Sequence, residues 1–398
     1  MKALRITMVF AAALAIARMA GAADPPQTIA GKPYSITPGA NGTYTVKWGD
    51  DSMTWEPNKA WYHEPFKKAG PTYYAKWTAK GMPFPFDSTL EERAKMPADE
   101  LYDRCLAWHY YGSYYPGAAD MWNNLVVRPD GSLREKQFFM EHYMAFNGEG
   151  GAPAKKNQEF LTPDERNDVS HKYLWIAVEP QEVRGQGGIT TDYYARERRP
   201  SDTLYLPTVR KVRRLAGSVS KQFFPATILR YEDVSHVRAL ADLDYKVVGF
   251  ELYKTDPKVH GEGPNDYPEI TGFDGAGDVA AIIEITPKPG VSWWYGKQKF
   301  WCGLQTLGWL HSEAFDEKGA PQRYVVHRIR NGVDAKLGDG SQAPDWYFYW
   351  GALWVQDLKS GFRGDMWASD TVFTPGFPTT IFSNENLLRE PRQLGWWR

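Results

Sequence analysis

Between Tyr173 and Tyr253 the chain is cut into short runs of β-branched and aromatic residues by Gly, Pro and Asp. Runs too short for stable helices, closed by residues that turn the backbone, predict consecutive antiparallel strands. Further strands are predicted beyond this stretch. The set is 172–178, 188–194, 203–206, 211–215, 245–253, 279–285, 297–304, 323–329, 346–355 and 363–373. About ten strands is near the limit for one open sheet before it curls. Val248, Phe250 and Leu252 alternate with Gly249, Glu251 and Tyr253, as in a strand with one wet face. Tyr173 to Val178 and Trp346 to Val355 are apolar on both faces, so both of their sides must be covered.

The chain before residue 171 reads differently. Residues 23 to about 87 are rich in Pro, Gly, Lys and aromatics, with no helical period. Residues 44–55 suit a small hairpin around Gly49-Asp50-Asp51, but the preferred reading is a wrapping arm laid over another domain. Ser88-x-x-Glu91 forms a capping box that opens a helix. Pro97 interrupts it and suits the first position of a second helix ending near Gly112, whose Leu101, Cys105 and Trp108 share one apolar face. Residues 113–170 read as irregular, except for a helix predicted over 135–146.

At the start, Lys2 and Arg5 precede an apolar run from Met8 to Ala17, followed by Ala20-Gly21-Ala22. Arg18 ends the run well short of the ~18 residues a spanning helix requires. The pattern predicts a cleavable export signal, residues 1–22, and hence a periplasmic protein. Cleavage leaves 44 basic against 48 acidic residues, a net charge of −4, because Lys2, Arg5 and Arg18 go with the signal. That balance offers no global attraction for nucleic acid or for anionic lipid headgroups. No Cys lies near the cleavage site, so no permanent membrane anchor is expected. Cys105 and Cys302 either pair in the oxidising compartment or are two buried thiols.

The chain carries 17 Trp, 23 Tyr and 19 Phe, the residue types that line apolar pockets. Trp175, Leu204, Leu206, Phe223, Phe224, Ile228, Leu229 and Phe250 are the candidate lining of a binding surface. Arg210, Lys211, Arg213 and Arg214 place four positive charges in five residues, suited to a headgroup or an acidic partner. No catalytic set is legible. The eight His show no metal-ligand spacing, Ser218-x-x-Lys221 lacks companion motifs, and the Gly185–Gly188 run lacks the Lys-Ser/Thr of a phosphate loop. No metal and no cofactor is expected.

Several motifs occur in an order that resembles one family. They are Glu179-Pro180 with Val183-Arg184-Gly185, Tyr205-Leu206-Pro207 with basic residues behind it, Tyr231-Glu232-Asp233, and Asp244-Tyr245-Lys246. Later come Asp316-Glu317-Lys318-Gly319, Asp357-Leu358-Lys359-Ser360-Gly361, Phe373 to Pro378, and Ile381-Phe382-Ser383. Over about residues 172–390 the chain resembles the LolA/LolB-like carriers, in the branch called outer-membrane lipoprotein-sorting proteins. Two places depart from the family pattern, Thr227 to Arg230 and Trp301 to Trp309, and both add apolar bulk.

The resemblance implies an α+β fold: a large curved antiparallel sheet, a half-barrel, with helices covering its concave face. With the residues before 171, which the resemblance does not cover, the chain reads as three regions: the signal at 1–22, an N-terminal arm and helical region at 23–170, and the β domain at 171–398. The resemblance also implies a non-enzymatic carrier for a lipid, a lipoprotein acyl chain or another hydrophobic molecule, working beside an inner-membrane exporter. A second reading is a secreted carbohydrate-active enzyme or sugar-binding protein, suggested by Asp120-x-Trp122, Asp345-Trp346 and Asp365-x-Trp367.

Overall fold

The structure is a computed structural model of the 398-residue chain. It describes residues 28–29, 32–38, 44–48, 51–55, 90–107, 117–146, 148–149, 152–153, 161–215, 224, 227–234, 236, 238–253, 278–304, 308–331, 336–337, 340–341, 348–373 and 380–389. The expected export signal, Phe223, Trp108 and Asp345 lie outside these residues.

Thirteen strands build the main sheet. The first six are β1 (Gly117–Val127), β2 (Leu133–Phe146), β3 (Val169–Glu179), β4 (Gly187–Tyr193), β5 (Ser201–Leu206) and β6 (Lys211–Leu215). The other seven are β7 (Leu243–Tyr253), β8 (Asp278–Pro287), β9 (Lys297–Gly303), β10 (Trp309–Phe315), β11 (Pro321–Asn331), β12 (Phe348–Asp357) and β13 (Arg363–Phe373). Their order across the sheet is β6-β5-β4-β3-β2-β1-β13-β12-β11-β10-β9-β8-β7, and a two-residue strand, Lys336–Leu337, pairs with β13 to bring the count to 14. Two meanders thus lie side by side, joined at a seam where β1 pairs with β13. Among the described residues β6 and β7 are the outer edges, so the sheet is open. Residues 216–242 run from one edge to the other.

All ten strands predicted from the sequence are present, with ends shifted by a few residues. The reading of 113–170 is corrected: β1 and β2 sit in the middle of the sheet, and the helix predicted over 135–146 is strand β2. Leu133–Phe146 is rich in helix formers, but ladders on both sides outweigh propensity. The sheet therefore crosses the expected boundary at residue 170, and two of its thirteen main strands come from the region assigned to the arm and helices.

At 44–55 the less favoured alternative, the hairpin, forms, with Trp48 opposite Asp51, inside a separate four-stranded sheet with Thr28–Ile29 and Lys32–Pro38. The two predicted helices are α1 (Leu90–Lys95) and α2 (Ala98–Ala107). Pro97 does not open α2 from within, as expected; it precedes the helix and its carbonyl accepts the N–H of Leu101.

Strand order and contacts together require curvature. At about 4.8 Å per strand, β5 and β7 would lie about 50 Å apart in a flat sheet. Yet the β4–β5 loop touches the start of β7: Ala241 N–H donates to the Arg196 carbonyl at 3.0 Å, and Arg199 meets Asp242 at 3.0 Å. The same loop grips α2, where Arg196 binds Asp99 at 2.7 Å and Asp103 at 3.1 Å. In turn α2 lays Tyr102 on Phe300 of β9 and Tyr245 of β7, with ring centroids at 4.7 and 5.0 Å. The open sheet is curled almost edge to edge.

Candidate functional site: the inner face and its plug

Ladder register assigns side chains to faces, because directly paired residues point the same way. Following the pairs from Arg213 gives Leu204, Gly188, Trp175, His142 and Asp120 on one face. Following them across the other meander puts Arg323, Phe300 and Phe250 with α2 on that same side. This is the inner face. The opposite face of β1 to β4 carries Ala119, Tyr143, Leu174, Ile176 and Ile189, sealed by Ile381, Phe382 and Leu387 from the C-terminal segment. Here α3 (Asn384–Leu387) is N-capped by Ser383, and the Asn386 amide donates to the carbonyls of Thr380 and Ile381.

The inner face is covered less by helix than by residues 224–242, an irregular segment with two single-turn 3-10 helices. We call it the plug. At one end its hold is apolar. Phe224 meets Trp175 edge-on at 5.7 Å and stacks on Tyr231 at 4.2 Å. Ile228 and Leu229 are buried beside them. Each large side chain so buried contributes roughly 1.5–3 kcal/mol.

Two glycines shape this seat. A Cβ on Gly188 would lie 2.6 Å from the Trp175 indole nitrogen, and one on Gly364 would lie 2.9 Å from Ile228 Cγ1. Bare backbone at these points lets the indole and the plug settle onto the strands.

At the other end the hold is ionic. Arg323 of β11 is 1% exposed. Its Nε donates to Asp233 Oδ1 at 3.0 Å, Nη2 donates to the Ile228 carbonyl at 2.8 Å and to Asp233 Oδ2, and Nη1 reaches Asp357 at 3.3 Å. Burial opposes its charge, but Asp233 outweighs burial and holds the guanidinium protonated above the ordinary arginine range. Asp233 also accepts the Arg230 backbone N–H at 2.7 Å, which closes the turn. Glu232 accepts from Trp293 Nε1 at 2.7 Å and from Arg238 at 3.3 Å, and burial raises its pKa. Arg230 lies over Trp294 at 4.7 Å and bonds the Tyr295 hydroxyl at 3.2 Å. The Tyr231-Glu232-Asp233 motif is thus the fastening of the plug to β11 and the β8–β9 loop.

A third contact ties the plug to the first meander. Asp192 Oδ2 of β4 sits 3.2 Å from His236 Nε2 and 3.6 Å from His171 Nε2. Burial lowers the His171 pKa to about 4. Burial also works against charge on His236, but Asp192 prevails and raises its pKa. Nearby, Asp202 accepts the Thr190 hydroxyl at 2.5 Å, and burial pushes its pKa up to about 6.

The candidate lining divides accordingly. Trp175, Leu204, Leu206 and Phe250 share the inner face, with Leu206 and Phe250 half-buried. Phe224, Ile228 and Leu229 are not wall but plug, and they fill the bowl at Trp175 with the protein's own side chains. Arg210, Lys211, Arg213 and Arg214 are exposed on and beside the terminal strand β6. Cys105 and Cys302 are both buried thiols and no disulfide joins them.

Of the three carboxylates suggested for sugar chemistry, the two that the structure describes are buried. Asp120 is fully buried against His142 at 2.9 Å, and Asp365 is 2% exposed. Among the described residues no group of three or more His, Cys, Asp or Glu is placed to hold a metal ion, and no helix is long and apolar enough to cross a membrane.

Sequence reasoning missed Arg323, the Trp293–Tyr295 loop and the Asp192–His236 tie. The one available signal was the acidic pair Glu232-Asp233 in a strand-rich, apolar context, which calls for buried cations.

The architecture defines a class: an open, curled antiparallel sheet whose inner face is covered by a plug from its own edge-to-edge connection. The chain belongs to the family described as a protein of unknown function, DUF1329, whose model matches residues 51–249, half of the chain. A second family model, described as an uncharacterized protein, matches residues 169–389. A DUF1329 family protein from Desulfovibrio piger is similar at 18% identity and a TM-score of 0.51, covering 73% of this chain and 99% of its own. A Vibrio parahaemolyticus domain assigned as an outer membrane lipoprotein-sorting protein is 16% identical with a TM-score of 0.51, covering 76% of this chain and all of its own. These likenesses establish the half-barrel fold. No curated protein matches the chain.

Proposed function

We propose that the protein is an exported, periplasmic carrier that holds a hydrophobic molecule, such as a lipid or an acyl chain, between the inner face of the sheet and the plug. The observation that carries this reading is the composite hold on the plug. Apolar side chains cover the wall at Trp175, while charged pairs on Asp233, Glu232 and His236 fix the plug's position. An acyl chain can replace Phe224 and Ile228 against the wall at similar free energy per area, about 0.8 kcal/mol per CH₂, while the ionic fastening keeps the plug in register. No covalent step is required, and the residues of the wall serve as binding groups rather than catalysts. Residues 1–22 act as the export signal, and an inner-membrane exporter supplies or receives the passenger.

Protein purified from its native host and examined by native mass spectrometry and lipid extraction is expected to release an apolar molecule. Repeatedly empty protein that also fails to take up a fluorescent fatty acid overturns the proposal.

A further inference from the structure

Four basic residues sit unopposed at the tip and edge of the β5–β6 hairpin. Arg210, Lys211, Arg213 and Arg214 are all exposed, and among the described residues none makes an ion pair or side-chain hydrogen bond. Ion pairs elsewhere on the surface are common, as with Arg198–Asp168 and Lys297–Glu284, so this run stands apart. Immediately before it, Val209 is 48% exposed, one of two large apolar side chains exposed among the described residues. Arg210 adopts a left-handed backbone (φ 49°), the one non-glycine residue described at positive φ, which turns the chain from the Pro207–Val209 turn into β6.

Register adds direction. Lys211 and Arg213 pair with Leu206 and Leu204 on the inner face, whereas Arg214 pairs with Thr203 on the other. Positive charge therefore projects from both faces of the terminal strand. A partner lying on one face would meet only part of it; a broad negative surface met end-on by the hairpin meets all of it. Because the expected mature chain is net negative, such a surface repels the rest of the molecule and orients it tip first.

We propose that the β5–β6 hairpin is a docking surface for an anionic lipid bilayer, with Val209 entering the headgroup layer and the four cations engaging lipid phosphates. Each cation near such a surface raises partitioning about fivefold, equivalent to about 1 kcal/mol. The proposal is independent of the carrier reading: a protein that docks but holds no passenger retains it.

The test is flotation of the full chain with vesicles of phosphatidylglycerol and phosphatidylethanolamine, against vesicles of phosphatidylcholine alone. Binding is expected to the anionic vesicles only, weakening as salt rises. The triple variant Lys211→Glu, Arg213→Glu, Arg214→Glu is expected to lose at least 100-fold in binding without a lower thermal midpoint, since these side chains are exposed and make no ion pair or side-chain hydrogen bond among the described residues. Arg210→Gly relieves the left-handed backbone, so it should bind about fivefold more weakly while melting no earlier. A Val209→Cys chain carrying an environment-sensitive dye should shift to the blue on anionic vesicles alone, which reports on the hairpin irrespective of the apolar N-terminus. Equal binding to both vesicle types, undiminished binding by the triple variant, or an unshifted dye each overturns the proposal. So does binding to an acidic polypeptide in the absence of binding to anionic vesicles.

Discussion

The two ends of the plug are held by different physics. At Trp175 the contact is mainly aromatic, with the Phe224 ring edge-on to the indole, so another apolar body of similar area can substitute for that ring. At Arg323 the contact is a buried ion pair with fixed geometry, and no apolar guest can replace it. Buried ion pairs rarely add much stability over a hydrophobic equivalent, but removing one partner leaves an uncompensated charge. The ionic end is therefore suited to setting register, and the apolar end to exchange. A cover built wholly from either kind of contact would be a permanent core or a loose flap.

Breaking the ionic end should cost most. Arg323→Ala strands Asp233 in the interior and is expected to destabilise by about 3–5 kcal/mol in chemical denaturation. Replacing both partners, Arg323→Met with Asp233→Val, should recover much of that loss. A single variant as stable as the parent would remove the ionic fastening from the account. At the apolar end Phe224→Ala is expected to destabilise by about 3 kcal/mol, yet to bind a fluorescent fatty acid more tightly because the guest no longer competes with the ring. Loss of fatty-acid binding in a folded Phe224→Ala protein would make that end core rather than exchangeable cover.

The histidine tie sharpens the comparison through pH. His171 has a folded pKa near 4, below its ordinary 6.5, so the folded state resists its protonation. It therefore subtracts stability as pH falls from about 6.5 to 4. Asp202, raised to about 6 from 3.8, works in the opposite sense: its contribution is full below about pH 3.8 and is lost as pH rises through 6. His171→Gln should thus lessen the acid loss by on the order of 2–3 kcal/mol, and Asp202→Asn should remove the opposing arm, both visible in denaturation midpoints from pH 4 to 7. Unchanged pH profiles would show that neither group titrates with folding. The smallest effect is expected from Arg230→Ala, about 1 kcal/mol for its place over Trp294.

Much of the architecture was legible because these strands announce themselves. Asp316 and Asp357 mark tight turns, each accepting backbone N–H groups ahead of a glycine at positive φ. Val248, Phe250 and Leu252 alternate, and Tyr173 to Val178 of β3 is a continuous apolar run. The two central strands were hidden for opposite reasons. In β1, Gly117, Asp120, Asn123 and Asn124 are poor strand formers, and burial on both faces erases alternation. In β2, Leu133, Glu135, Lys136, Met140 and Ala145 favour a helix locally. Of the candidate site, Trp175, Leu204, Leu206 and Phe250 lie on the inner face, whereas Phe224, Ile228 and Leu229 belong to the plug. The plug was not foreseen, because its anchor pairs Asp233 with Arg323 across 90 positions and no local pattern records such a partner.

The seam between β1 and β13 has a consequence for assembly. Apart from the two-residue strand Lys336–Leu337 beside β13, every other ladder of the main sheet joins strands that follow one another in the sheet's own chain order, so each meander can zip from neighbouring pairs. The seam alone joins distant stretches, pairing Val127 with Arg363, and its loop-closure entropy is spent in one step. Until that step is complete, two sticky central strands stand with naked backbone, and the nascent molecule is at its most vulnerable to joining the wrong copy of itself.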